Sequence, residues 1–137
     1  MNILVIDGQG GQLGSSIIKA VNERFDDILV TAVGTNANAT AAMVKAGAKK
    51  AATGENPVTV AVKKADVIIG PLGIVIADSL LGEITPVMAQ CIGSADAVRI
   101  LIPVNKCDSI VAGVTLNTVS ALIEDALNKL EVILKSK

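Results

Sequence analysis

Residues 2–21 read NILVIDGQGGQLGSSIIKAV. An apolar run, Asn2 to Ile6, ends in an acid and gives way to a cluster of glycines. A helical pattern follows over 12–25, with Leu13, Ile17, Ile18, Val21 and Phe25 on one face. A short strand that is apolar throughout is buried on both sides, as happens when helices cover a parallel sheet. The turn from such a strand into a helix offers backbone N–H groups and the positive end of a helix dipole to an anion. Gly8, Gly10, Gly11 and Gly14 all fall in this turn or just beyond it.

The rest of the chain repeats the alternation. Ile28 to Val33 reads as a second buried strand, and Gly34-Thr35-Asn36 as a turn and helix cap. An Ala-rich helix runs from there to about Ala46, with Gly47 as its stop. Residues 48–53 make a weak third strand. Asn56-Pro57 has the form of a cap followed by proline at the first helical position. Val58, Val60 and Val62 alternate as in a strand, but a parallel sheet needs a crossover here, so the segment is read as a short helix. Asp66 to Gly70 is a fourth strand, and GPLGIVIADSLLGE an irregular apolar connection. Thr85-Pro86 starts a helix to about Gly93, Val98 to Val104 is a fifth strand, and SIVAGV (109–114) a candidate sixth. From Asn117 onward, Val119, Leu122, Ile123, Ala126, Leu127, Leu130, Ile133 and Leu134 form a long helical stripe. The expectation is an α/β fold: a single Rossmann-like three-layer domain over 1–137 with a mostly parallel sheet. Its ligand crevice would lie beyond the carboxyl ends of the strands.

Composition bounds the function. The chain of 137 residues is 51 % hydrophobic, with one aromatic residue, Phe25, and no His, Trp or Tyr. Mean hydropathy is +0.60. The core must be aliphatic. Twelve basic and 13 acidic residues leave a net charge of −1, which provides no field for nucleic acid or an anionic membrane. Cys91 and Cys107 match no disulfide or zinc pattern. The apolar region 67–82 is interrupted by Gly70, Pro71, Gly73 and Asp78, and so makes a poor membrane span. With no leader pattern before Ile3, the expected location is cytoplasmic.

The glycine turn, Asp7-Gly8-Gln9-Gly10-Gly11-Gln12-Leu13-Gly14, departs from the strict G-x-G-x-x-G spacing because position 13 is Leu. Its Gly8-x-x-Gly11-x-x-Gly14 form resembles the variant found in NAD(P)-binding epimerases and short-chain reductases. That resemblance implies NAD or NADP as cofactor, with the pyrophosphate over the turn. Asp7 complicates the match, because a carboxylate close to a pyrophosphate repels it. Three roles are open to it: capping loop amides, binding a ribose hydroxyl, or holding a divalent cation, with Asp78 and Glu83 as nearby candidates for the last. The acid that would select NAD, some 20 residues beyond the glycines, is missing; Thr35 and Asn36 stand there, as ribose binders or as helix caps. Gly70, Pro71, Leu72 and Gly73 after the fourth strand and Asn105 and Lys106 after the fifth would border the same crevice.

Catalysis has few candidates. Without Tyr or His, the Tyr-Lys pair of the reductases and Ser-His or Cys-His mechanisms are ruled out. Cys107 beside Lys106 remains a possible thiolate. Three functions follow: a nucleotide-binding sensor or regulator; a small enzyme whose site forms at a homodimer interface from Asp7, Glu55, Asn105, Lys106 or Cys107; or an interaction protein that keeps the fold without a ligand. The apolar residues Ile74, Val75, Ile76, Leu80 and Leu81 favour self-association as a homodimer. The phrases VIDGQGGQLG, GTNANATAAMVKAGA, AATGEN, ADVIIGPLGIVIADSLLGEITPVMAQ and ILIPVNKC together resemble a family of short bacterial proteins known as a domain of unknown function. The resemblance covers nearly the whole chain and implies a small Rossmann-like protein, with no activity to carry over.

Overall fold

The computed structural model describes residues 1–104, 108–116 and 118–136. Five strands form one parallel sheet: β1 (Asn2–Asp7), β2 (Leu29–Gly34), β3 (Lys50–Thr53), β4 (Val67–Pro71) and β5 (Val98–Ile102). The helices are α1 (Gln12–Arg24), α2 (Ala37–Lys45), α3 (Glu55–Ala61), α4 (Pro86–Gly93) and α5 (Val119–Lys135). Strand order is β3-β2-β1-β4-β5. The chain leaves β1 in one direction to build β2 and β3, then returns to β1's other side for β4 and β5. The fold is a single Rossmann-like α/β domain, and its topological switch point lies between β1 and β4.

Residue alternation along the strands divides the core into two layers. Ile3, Val5, Val30, Ala32, Val67 and Ile69 point to one face, under Ile17, Ile18 and Val21 of α1, Met43 of α2, and Leu127 and Leu130 of α5. Leu4, Ile6 and Ile68 point to the other, under Val58 of α3 and Met88 and Ile92 of α4. The buried side chains are aliphatic, and Phe25, at the end of α1, is the one aromatic packed against them. β3 is an edge strand, exposed at all four positions, which accounts for its weak apolar pattern.

Local chemistry sets the helix ends. Asn36 Oδ1 accepts the Ala39 N–H at 2.9 Å, and Thr85 Oγ1 accepts the Met88 N–H at 3.2 Å. At the end of α2, Gly47 has φ +116°. Its N–H donates to Val44 O, and the next N–H, Ala48, reaches back to Met43 O; this is the paired Schellman closure.

Three expectations need correction. α3 starts at Glu55 with Gly54 as its cap, not at Asn56-Pro57. Pro57 is accommodated because every N–H in a first turn lacks an intrahelical acceptor, so a residue without one loses nothing. Residues 109–114 form no strand: the described chain there is turn and irregular backbone, and β5 already closes that edge. The stretch read as favouring self-association is partly internal: Ile74 is fully buried and Leu80 nearly so, Val75 and Ile76 are half-buried, and Leu81 is thrust outward, 96 % exposed.

Leu130 is fully buried where α5 covers the sheet. Leu130→Ala is expected to cost about 2–5 kcal/mol of unfolding free energy through lost burial and a residual cavity, read from urea denaturation. A loss below about 1 kcal/mol would show that α5 contributes little to the core.

Candidate functional site

The carboxylate of Asp7, at the end of β1, organises the glycine turn. It is buried, 6 % exposed. Its Oδ1 accepts the Gly8 N–H at 2.8 Å and its Oδ2 accepts the Gly14 N–H at 2.7 Å. One side chain thereby joins the strand tip, the turn and the first turn of α1. Of the three roles open to Asp7, capping is the one its contacts display. Burial raises its pKa above the ordinary aspartate value; the bonds from Gly14 and Gly8 pull it down, and the charge of Glu83 pushes it up again.

Glu83 is the residue that the sequence underplayed, noted there only as a possible metal neighbour. It stands on the connection between β4 and α4. Its Oε1 accepts three donors: the Gln9 N–H at 2.8 Å, Thr35 Oγ1 at 2.5 Å and Asn36 Nδ2 at 2.9 Å. The carboxylate thus bridges the crest of the glycine turn and the end of β2. Desolvation works to raise its pKa, but the bonds from Thr35, Gln9 and Asn36 outweigh it and hold the group below the ordinary glutamate value. Asn36 Nδ2 also donates to Gln9 O at 2.9 Å.

The glycines serve the protein's own packing. A Cβ on Gly8 would stand 2.6 Å from Thr35 Oγ1 and 2.8 Å from Glu83 Oε1, so side-chain bulk here would break the Glu83 bridge. Gly11, at φ +72°, has its missing Cβ aimed at the Ala39 backbone, 2.7 Å from the carbonyl oxygen. A Cβ on Gly14 would meet Met43 Sδ at 2.6 Å and Asp7 Cβ at 2.9 Å. Gly10 alone of the four faces open space.

A cleft of about 540 Å³ opens beside this turn, lined by Asp7 through Leu13, with Ser16, Pro71, Leu80, Val104 and Val119 completing its walls. It lies at the carboxyl ends of β1 and β4, the switch point of the sheet. Among the described residues, the N–H groups of Gly10, Gln12 and Leu13 have no protein acceptor. Two of these belong to the first turn of α1, where the helix dipole adds its positive end.

Of the remaining residues expected at the crevice, Pro71 lines the cleft, but Gly70, Leu72, Gly73, Gly14, Thr35 and Asn36 do not. Gly70 packs against β1, with the position of its missing Cβ aimed at Ile6 O. Leu72 and Gly73 belong to a short 3₁₀ turn, Leu72–Val75. Thr35 and Asn36 are engaged with Glu83. Glu55 accepts Thr85 Oγ1 at 2.6 Å, outside the cleft. Asn105, Lys106 and Cys107 lie outside the described residues. Among those described, no group of three or more His, Cys, Asp or Glu is placed to hold a metal ion, and no helix is long and apolar enough to cross a membrane.

Two outcomes are expected. Asp7→Ala should lose about 1–3 kcal/mol, because it strands two buried N–H groups; urea denaturation reads the loss, and unchanged stability would contradict the capping role. Folding lowers the Glu83 pKa, so its carboxylate contributes stability that is complete above about pH 4.5 and is lost as pH falls through the lower folded value. Asp7, with its raised pKa, acts in the opposite sense: the part of its contribution that depends on protonation is present at low pH and lost as pH rises through the folded value, while the two capping bonds persist. The stability gap between wild type and Glu83→Gln should therefore be flat near neutrality and close as pH falls below about 4.5. A gap independent of pH would show that the charge of Glu83 is immaterial to the fold.

No curated protein matches the chain. Among solved structures it is similar to a dodecameric FMN-dependent Ubix-like decarboxylase from Escherichia coli O157:H7, at 16 % identity and a TM-score of 0.46, over 96 % of this chain and 76 % of that one. A likeness of that degree carries nothing about ligand or activity. Residues 2–135 match the family described as Domain of unknown function (DUF3842), and the chain belongs to that family.

Proposed function

We propose that this protein binds a nucleotide or dinucleotide, NAD or NADP foremost, in the cleft at the β1/β4 switch point. The observation that carries the reading is the coincidence of that cleft with three unclaimed backbone N–H groups, those of Gly10, Gln12 and Leu13. The volume, about 540 Å³, lies in the range of small-molecule and cofactor sites. A phosphate placed there meets the N-terminus of α1. Gly10, with open space where a side chain would stand, lets that phosphate approach the main chain. Asp7 is turned to Gly8 and Gly14, which neutralise part of its charge and lessen its repulsion of the anion. The apolar wall of Leu13, Leu80, Val104 and Val119 offers a surface for a base or nicotinamide ring.

A sensor or regulator that reads nucleotide levels fits this arrangement. The alternative, a scaffold that retains the fold without a ligand, draws support from Gly8, Gly11 and Gly14, each of which has an internal reason to be glycine. We attach a homodimer to the binding reading, since twofold assemblies are the commonest. Native mass spectrometry reads subunit count and any retained nucleotide together.

Ser16 tests the reading, because it is exposed and lines the cleft one turn into α1. Isothermal titration with NAD, NADP and AMP should detect binding to the wild type. Ser16→Glu should weaken it about tenfold or more by placing a negative charge beside the phosphate, leaving the melting temperature of the free protein unchanged. Absence of binding by all three nucleotides to well-folded protein, or equal affinity in the variant, would overturn the assignment.

A further inference from the structure

We infer that Glu83 is the specificity-determining residue of this cleft, supplying from the β4–α4 connection the ribose-binding acid that the end of β2 lacks, so that the ligand carries a free ribose 2′-hydroxyl and not a 2′-phosphate. The inference rests on the nucleotide-binding reading above and names the ligand class within it.

In a Rossmann-like sheet, the ribose next to the pyrophosphate lies over the tip of β2, where an acid accepts its 2′-hydroxyl. Here β2 ends in Gly34 and is followed by Thr35 and Asn36, neither of them acidic. Yet a carboxylate stands at that tip. Thr35 Oγ1 and Asn36 Nδ2 hold Glu83 Oε1 from the β2 side, and the Gln9 N–H holds it from the glycine turn. Gly8 and Gln9, which adjoin the carboxylate, are also lining residues of the cleft. So is Leu80, three residues before Glu83. Glu83 itself, like Thr35 and Asn36, is not a lining residue of the cleft; it adjoins the lining at Gly8 and Gln9, so a ribose held by it extends past the cleft over the crest of the glycine turn toward β2.

The arrangement has a division of labour. All three donors converge on Oε1, while Oε2 has no protein donor among the described residues. Oε1 anchors the group; Oε2 is the free acceptor, suited to a hydroxyl that donates. The same oxygen repels a 2′-phosphate, with no Arg beside it at the tip of β2 to offset the charge. The backbone leading to it is unusual as well. Asp78, Leu80 and Leu81 are non-glycine residues at φ 66°, 56° and 57°, a conformation that costs energy and persists only where surroundings enforce it. The fold accepts that cost in the segment that brings Glu83 to β2.

The test compares NAD with NADP, which differ by the 2′-phosphate alone, and AMP with 2′-deoxy-AMP, which differ by the 2′-hydroxyl. Wild type should bind NAD and AMP about tenfold or more tightly than NADP and 2′-deoxy-AMP. Glu83→Gln, which keeps an acceptor for the anchoring donors, should narrow the NAD-to-NADP ratio toward unity, mainly by gaining affinity for NADP. The wild-type comparison stands even if the variant does not fold. Equal affinity of wild type for NAD and NADP would overturn the inference while leaving nucleotide binding intact. A Glu83→Gln protein that binds every nucleotide more tightly, with the ratio unaltered, would also overturn it, because the carboxylate would then be an internal plug. Failure of all four to bind would remove the binding reading and this inference together.

Discussion

The arrangement of the sheet's working end depends on one carboxylate. Asp7 ends the central strand, and its two oxygens take the N–H groups of Gly8, the next residue, and of Gly14, seven positions on. A strand that stops beneath the start of a helix leaves main-chain donors on both without partners. Asp7 satisfies one on each side and so fixes the angle at which α1 leaves the sheet. Because it is buried, its charge is expensive, and only the paired donors make that expense tolerable. α1 then carries Ile17, Ile18 and Val21 onto the sheet, so the geometry of the turn and the packing of that layer are a single problem.

Glu83 does the corresponding job one strand over. It ties the turn's crest to the start of α2, so that three segments far apart in sequence meet within one residue's reach. Together the two acids account for the polar groups most inclined to face inward. They leave the N–H groups of Gly10, Gln12 and Leu13, all lining residues of the cleft, without a protein acceptor among the described residues. The local field is mixed as a result: positive partial charge at the helix start, negative charge beneath it and to one side. Such a place discriminates among anions by shape and position more than by total charge.

Much of this architecture is written locally in the chain. The all-apolar runs at Ile3–Ile6 and Val67–Ile69 have the composition of strands covered on both faces, and Thr85-Pro86 and Asn36 mark helix starts by their capping chemistry. Errors came where two physical rules competed. Asn56-Pro57 matches a helix start, yet a first turn accepts proline at several positions, and Gly54 began the helix. SIVAGV has strand composition, but the sheet is already complete at β5. The glycine spacing is the most instructive case: it signals close backbone approach, and the approach is real, but at Gly8, Gly11 and Gly14 the approaching atoms are the protein's own. Glu83 could not be placed from sequence because its contact with Gln9 spans 74 positions and no periodic pattern announces it.

Leu80 and Leu81 adopt the same left-handed backbone in succession, and their side chains go opposite ways, one into the wall of the cleft and the other out into solvent at 96 % exposure. An apolar side chain is thereby held in solvent next to a residue of the cleft wall and two positions before the Glu83 tether, so the outer and inner surfaces of the chain come within one residue of each other here.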